Sequence, residues 1–187
     1  LRFTKGDVVG LFLPMTVHVV VALLALARIG AIALPLFSGF GAGAIASRLT
    51  DAGAVGLVTA DAQHRRGAMV PMKAMADEAL HSVPSVHTVI VCRRVSDDAP
   101  MHPGRDHWWH DVVPGQEPTA TYEATSAEDQ LMIIYTSGTT GAPKGAVHTH
   151  CGFPIKAAQD MAFGTDVHEG DLIYWMTDMG WMMGPWL

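Results

Sequence analysis

The sequence predicts an α/β fold, with mostly parallel sheets and helices on both faces. Two observations carry that class. Apolar, β-branched runs at residues 8–13, 31–36, 55–59 and 86–91 alternate with stretches of helical length and pattern. A further apolar run at residues 131–135 opens directly into a loop of glycines, hydroxyls and a lysine. Strands alternating with helices imply parallel pairing with both sheet faces covered. In such sheets ligands collect at the carboxyl ends of strands, where this loop falls.

Taken in order, residues 8–13 read as a strand, and Pro14 marks the turn before a helix over 16–28. Gly30 ends that helix, and residues 31–36 return as a strand. Residues 38–41 form a turn, 42–52 a helix closed by Gly53, and 55–59 a third strand. Residues 61–67 read as a polar turn, 72–81 as a helix and 86–91 as a fourth strand. Residues 93–128 are rich in Pro, Asp and His and suggest a surface excursion. After the glycine-rich loop, residues 145–149 read as the return strand of a hairpin and 153–163 as a helix. Residues 172–176 read as another strand, and 180–187 open a final helix.

Composition excludes several classes. With 49% hydrophobic and 16% charged residues the chain has material for a core and is not disordered. A net charge of −6 provides no basic face, so nucleic acid is not the expected partner. Two cysteines, Cys92 and Cys151, make no disulfide framework, and no leader pattern precedes the first strand; both favour the cytoplasm. Residues 17–37 approach membrane-span hydropathy, but His18, Arg28, Gly30 and Pro35 interrupt them, so a buried helix and strand are expected and no membrane. The chain starts at Leu1 and stops inside an apolar run, so both ends read as cut and the chain as a piece of a longer protein.

The loop itself is Thr136-Ser137-Gly138-Thr139-Thr140-Gly141-Ala142-Pro143-Lys144-Gly145. Its glycines let the backbone approach a ligand, and successive N–H groups in such a turn make a nest for an anion. Four hydroxyls add donors and Lys144 adds a positive charge. Glycine and hydroxyl residues also build ordinary loops, but this density directly after a buried strand points to phosphate. It is not a Walker A loop, which needs Gly-Lys-Ser/Thr where this chain has Pro143-Lys144-Gly145.

From Tyr135 to Gly145 the chain resembles the AMP-binding signature of the adenylate-forming enzymes, whose typical form is Tyr-Thr-Ser-Gly-(Ser/Thr)-Thr-Gly-x-Pro-Lys-Gly. It is similar throughout to the acetyl- and propionyl-CoA synthetases. These have counterparts of Lys5-Gly6-Asp7, of Ala27 to Ala31, of Trp108 to Asp111 and of Gly170-Asp171 through Gly180-Trp181. The resemblance implies that residues 1–187 are part of the large N-terminal AMP-binding domain of an AMP-forming acyl-CoA synthetase. It implies ATP and Mg²⁺, a short-chain carboxylic acid and CoA as acceptor. Thr136, Ser137, Gly138, Thr139, Thr140, Gly141 and Lys144 would hold the ATP phosphates, Lys144 as a supporting contact.

The same resemblance implies two further sites. A family loop Arg-x-Gly-Arg holds CoA phosphates; Arg65 and Gly67 match it, Ala68 replaces the second arginine, and Arg66 is the candidate substitute. Trp181, Met182 and Met183 fall where the family lines its acyl pocket, with two methionines in place of the usual Val-Thr. The adenine, ribose and Mg²⁺ motifs and the C-terminal domain are expected beyond Leu187, so the isolated chain is expected to be inactive. The alternatives are a nucleoside triphosphatase and a domain that keeps the fold without catalysis. Neither the pair His107/His110 nor the pair His148/His150 reaches zinc-site ligand number, although a strand would put the latter two on one face. Cys151 reads as a buried thiol.

Overall fold

The computed structural model describes residues 3–118, 121–136 and 143–186. Nine strands and six α-helices follow one another as β1 (Val8–Phe12), α1 (Val17–Arg28), β2 (Ile32–Pro35), α2 (Ala42–Asp51), β3 (Gly56–Ala60), β4 (Gln63–Arg65), β5 (Ala68–Val70), α3 (Met72–Leu80), β6 (Thr88–Cys92), β7 (Asp106–Trp108), α4 (Trp109–Val112), β8 (Gln130–Thr136), β9 (Lys144–Thr149), α5 (Gly152–Gln159) and α6 (Met183–Trp186) among the described residues. Seven strands form one sheet in the order β7-β6-β3-β1-β2-β8-β9. Every neighbouring pair in it is parallel except β8 and β9.

Strand β1 lies at the centre, and all five of its residues are buried, which requires cover on both faces. From β1 the chain crosses to β2 on one side; from β2 it returns past β1 to β3 on the other, and then on to β6. Right-handed crossovers therefore put α1 on one face and α2 and α3 together on the opposite one. Helix α1 buries Val19, Ala22 and Leu26, a stripe at helical spacing. Val17, Val20, Val21 and Leu24 remain on its exposed side, which explains the membrane-like hydropathy of a helix only 12 residues long. No helix among the described residues is long and apolar enough to cross a membrane.

Gly30 and Gly53 stop α1 and α2 as the sequence indicates. Gly30 takes φ 69° and Gly53 φ 63°. In each case the next N–H reaches back across the last turn: Ala31 to the Leu26 carbonyl at 3.0 Å, and Ala54 to Leu49 at 2.9 Å. That is the Schellman pattern, which satisfies helix-end carbonyls that water would otherwise have to bond.

Four expectations change. Residues 61–67 are not a plain turn: β4 and β5 pair antiparallel around Arg66 (φ 51°) and Gly67 (φ 77°), a two-residue hairpin with both central residues left-handed. Within residues 93–128, β7 adds an edge to the sheet beside β6. The helix expected over 153–163 begins at Gly152 and ends in a π-helical turn, Asp160–Gly164. Residues 172–176 form no strand. Leu172, Tyr174 and Met176 are exposed, and no described strand pairs with them; an apolar run becomes a strand only where a neighbour accepts its backbone hydrogen bonds.

A buried charge cluster fastens α3 to the β7 edge. Lys73 is fully buried, with Nζ 2.8 Å from Asp106, 2.6 Å from Asp77 and 2.9 Å from the Pro100 carbonyl. Arg105 reaches both carboxylates at 2.5 Å. Burial pushes the Asp106 carboxyl up, but the bonds from Arg105, the His102 N–H and Lys73 hold it below its ordinary value. Asp77, His102 and Asp106 lie close enough to share a cation, yet Lys73 and Arg105 already supply that positive charge.

Candidate functional site

Strand β8 leads to the glycine-rich loop and β9 leaves it. Their ladder runs to the loop's edge, where Thr136 stands opposite Lys144, and both are exposed. Ser137, Gly138, Thr139, Thr140 and Gly141 lie outside the described residues. One residue before the loop, the Tyr135 hydroxyl bonds Asp51, and the Arg48 guanidinium lies 5.5 Å from the Tyr135 ring. Burial first, and Asp51 second, push the Tyr135 hydroxyl above its ordinary pKa, so it stays protonated. The strand entering the loop is thus tied to α2.

Because β1, β2, β3 and β8 are parallel, their carboxyl ends share one sheet edge. Ala33 of β2 pairs with Met132 of β8, so the chain leaving β2 at Phe37 runs level with the start of the loop. A cavity of about 520 Å³ opens at this edge, lined among others by Phe37, Ser38, Arg65, Asp178, Trp181 and Met183. A second, of about 450 Å³, shares Phe37, Ser38 and Arg65 with it and adds Arg66.

The structure therefore brings Arg65, Trp181 and Met183 to one cavity, although 116 positions separate the first two in sequence (181 − 65). Phe37 links them: the Arg65 guanidinium lies 4.7 Å from its ring centroid, and the Trp181 ring meets it edge-on at 5.5 Å. Gly39 makes room for the arginine, since a Cβ there would sit 2.9 Å from Arg65 Cζ. Met182 points elsewhere, into a groove with His148, Lys156 and Trp186. Gly67 lets the hairpin turn beside Arg66.

Sequence reasoning missed the polar groups under this cavity. Asp178 is 7% exposed and accepts the Ser38 N–H at 3.3 Å, the Ser38 hydroxyl at 2.5 Å and the Gly180 N–H at 2.9 Å. Gln63 Nε2 donates to the Ser38 carbonyl at 3.0 Å. No spacing signal links residues 38, 63 and 178; only the topology brings them together.

The remaining candidates are peripheral. β9 ends at Thr149, opposite a bulge between Gln130 and Met132 of β8, so His150 lies beyond the strand on whose face it was expected to join His148. Burial lowers the His148 pKa. Cys151 is half-buried rather than buried, and Cys92 is buried, its thiol pushed up to about 12 mainly by burial.

A mostly parallel α/β sheet, with helices on both faces and a mixed aromatic and cationic cavity at the carboxyl ends of its strands, defines a ligand-binding α/β domain. The chain belongs to the AMP-binding enzyme family, which it matches over residues 1–187. It is 49% identical over 181 residues to the acetyl-coenzyme A synthetase of Methanothrix thermoacetophila, covering 96% of this chain and 27% of that protein. To the acetyl-coenzyme A synthetase of Salmonella typhi it is 44% identical over 187 residues, covering 98% and 28%. The solved acetoacetyl-CoA synthetase from Streptomyces lividans superposes with a TM-score of 0.90 at 29% identity, over 99% of this chain and 28% of that one. The chain thus spans little more than a quarter of these relatives.

Proposed function

We propose that this chain is part of the AMP-binding domain of an AMP-forming acyl-CoA synthetase that activates a short-chain carboxylic acid in the cytoplasm. The observation that carries the reading is the shared edge. Thr136 ends β8 at the same end of the sheet as Phe37, which follows the neighbouring β2 and meets both Arg65 and Trp181 in one cavity. The names of the relatives, acetyl-coenzyme A and acetoacetyl-CoA synthetases, support the same class.

In this reading the acid's carboxylate oxygen attacks the α-phosphorus of ATP, pyrophosphate leaves, and an acyl-adenylate forms. Charge develops on the phosphoryl oxygens, so positioning and electrostatics carry most of the rate. Thr136, the loop residues 137–141 and Lys144 hold the β- and γ-phosphates. Mg²⁺ shares that charge when bound. The described loop-edge residues, a hydroxyl and an ammonium, suit phosphate rather than the ion, so no step is assigned to it. Trp181 and Met183 wall the acid, and Met183, where the family usually has Thr, changes the volume and polarity of that wall. Arg65 and Arg66 receive CoA phosphates, whose thiol then displaces AMP.

Product analysis on the complete protein tests this. ATP, a short-chain acid and CoA should give acyl-CoA, AMP and pyrophosphate in equal amounts. Orthophosphate release without any acid would indicate a triphosphatase instead.

A further inference from the structure

Ser38, Gln63 and Asp178 are buried polar residues that the proposed chemistry does not use. A buried carboxylate is costly unless it is fully hydrogen-bonded. Here three donors converge on Asp178, two of them backbone N–H groups, so the carboxylate and the loop conformations around it define each other. From Ser38 the path continues through its carbonyl to Gln63, two residues before Arg65 on the same strand. From Asp178 it continues to Gly180, just before Trp181. Contact there is close enough to transmit a shift: a Cβ at Gly180 would lie 2.7 Å from the Leu36 carbonyl carbon.

We propose that Asp178, Ser38 and Gln63 are positioning residues that fix the acid-pocket wall (Trp181, Met183) relative to the acceptor hairpin (Arg65), so that disturbing either end weakens binding at the other. The proposal rests on the acyl-CoA synthetase reading for the identity of the two ligands. Its geometric content, one hydrogen-bonded path between two walls of one cavity, stands on the distances alone.

The test uses the complete protein and substitutions within the path, each read at the ligand on its far side. ATP–pyrophosphate exchange is measured without CoA across acid concentrations. Gln63→Leu lies on the acceptor side, yet it should raise the KM for the acid about tenfold, the scale of coupling between residues in one network. Asp178→Asn should likewise raise the KM for CoA in thioester formation. Ser38→Ala should raise both, and Ser38→Thr, which keeps the hydroxyl, should restore them. A merely structural role would lower the yield of folded protein and leave the KM of the folded fraction unchanged, which would overturn the proposal. A crystal structure of Gln63→Leu decides the geometry without activity. Trp181 drawn away from its 5.5 Å contact with Phe37 supports the path, and an unmoved Trp181 refutes it. Should the unchanged protein show no acid-dependent exchange, the synthetase reading fails while this structural result still stands.

Discussion

Thr136 faces Lys144 across the β8–β9 ladder, so the glycine-rich loop is closed at its base by paired backbone on both sides. This relationship fixes where the lysine can reach. A flexible loop would spend binding energy on ordering its cation, whereas a residue at the end of a strand is already held.

Lys144→Ala should therefore weaken ATP binding by the complete protein roughly 10- to 100-fold, the loss of one charge-assisted hydrogen bond of about 1.5–3 kcal/mol. Equilibrium binding of a non-hydrolysable ATP analogue measures it. Unchanged affinity would move the lysine out of the phosphate site.

Gly39→Ala should separate the two half-reactions. The added methyl meets the Arg65 guanidinium, so the KM for CoA rises while the KM for ATP is kept. Steady-state kinetics of thioester formation with each substrate varied in turn would show it.

The buried Lys73 cluster supports a stability prediction. Lys73→Ala leaves Asp106 and Asp77 without their shared ammonium and should destabilise the chain by about 3 kcal/mol, the lower end for breaking a buried pair because Arg105 remains. The shift of the urea midpoint reads this directly.

Acid should loosen the same side of the sheet. Burial pushes the Asp61 carboxyl up, but the N–H groups of residues around Ser96 bond it and hold it below its ordinary value of 3.8, as the cluster does for Asp106. A depressed carboxylate contributes stability above its unfolded value and loses it as pH falls through the folded one. Unfolding free energy should thus be flat above about pH 5 and drop below about pH 4. Asp61→Asn should lower stability at neutral pH and flatten the acid limb; an unchanged acid limb would contradict the assignment.

Much of this architecture is readable from the chain because the central strands are buried on both faces. Val8, Val9 and Leu11 have no polar partner to blur the pattern, and Gly30 and Gly53 announce their helix ends. What the sequence hides is polar. β4 and β7 are three-residue strands of mixed composition, set by their neighbours rather than by their own preference. Residues 172–176 show the opposite failure, an apolar run without a described partner. Within the site, the Arg65 and Trp181 positions follow from motif resemblance, but their meeting across Phe37 depends on topology. Asp178 and Ser38, 140 positions apart, carry no local signal at all.

Because the chain covers 27% of its Methanothrix relative, the 187-residue polypeptide by itself should form no AMP from ATP and acid. Acid-dependent AMP from the purified chain would show that adenylation needs nothing further.

The most direct test of the whole account is ATP–pyrophosphate exchange by the complete protein across a panel of short carboxylic acids. Exchange that appears only with a particular acid is the predicted result, and it names the substrate as well as the reaction. A folded protein that binds ATP yet exchanges with none of the acids would contradict the synthetase reading and leave a non-catalytic nucleotide-binding domain in its place.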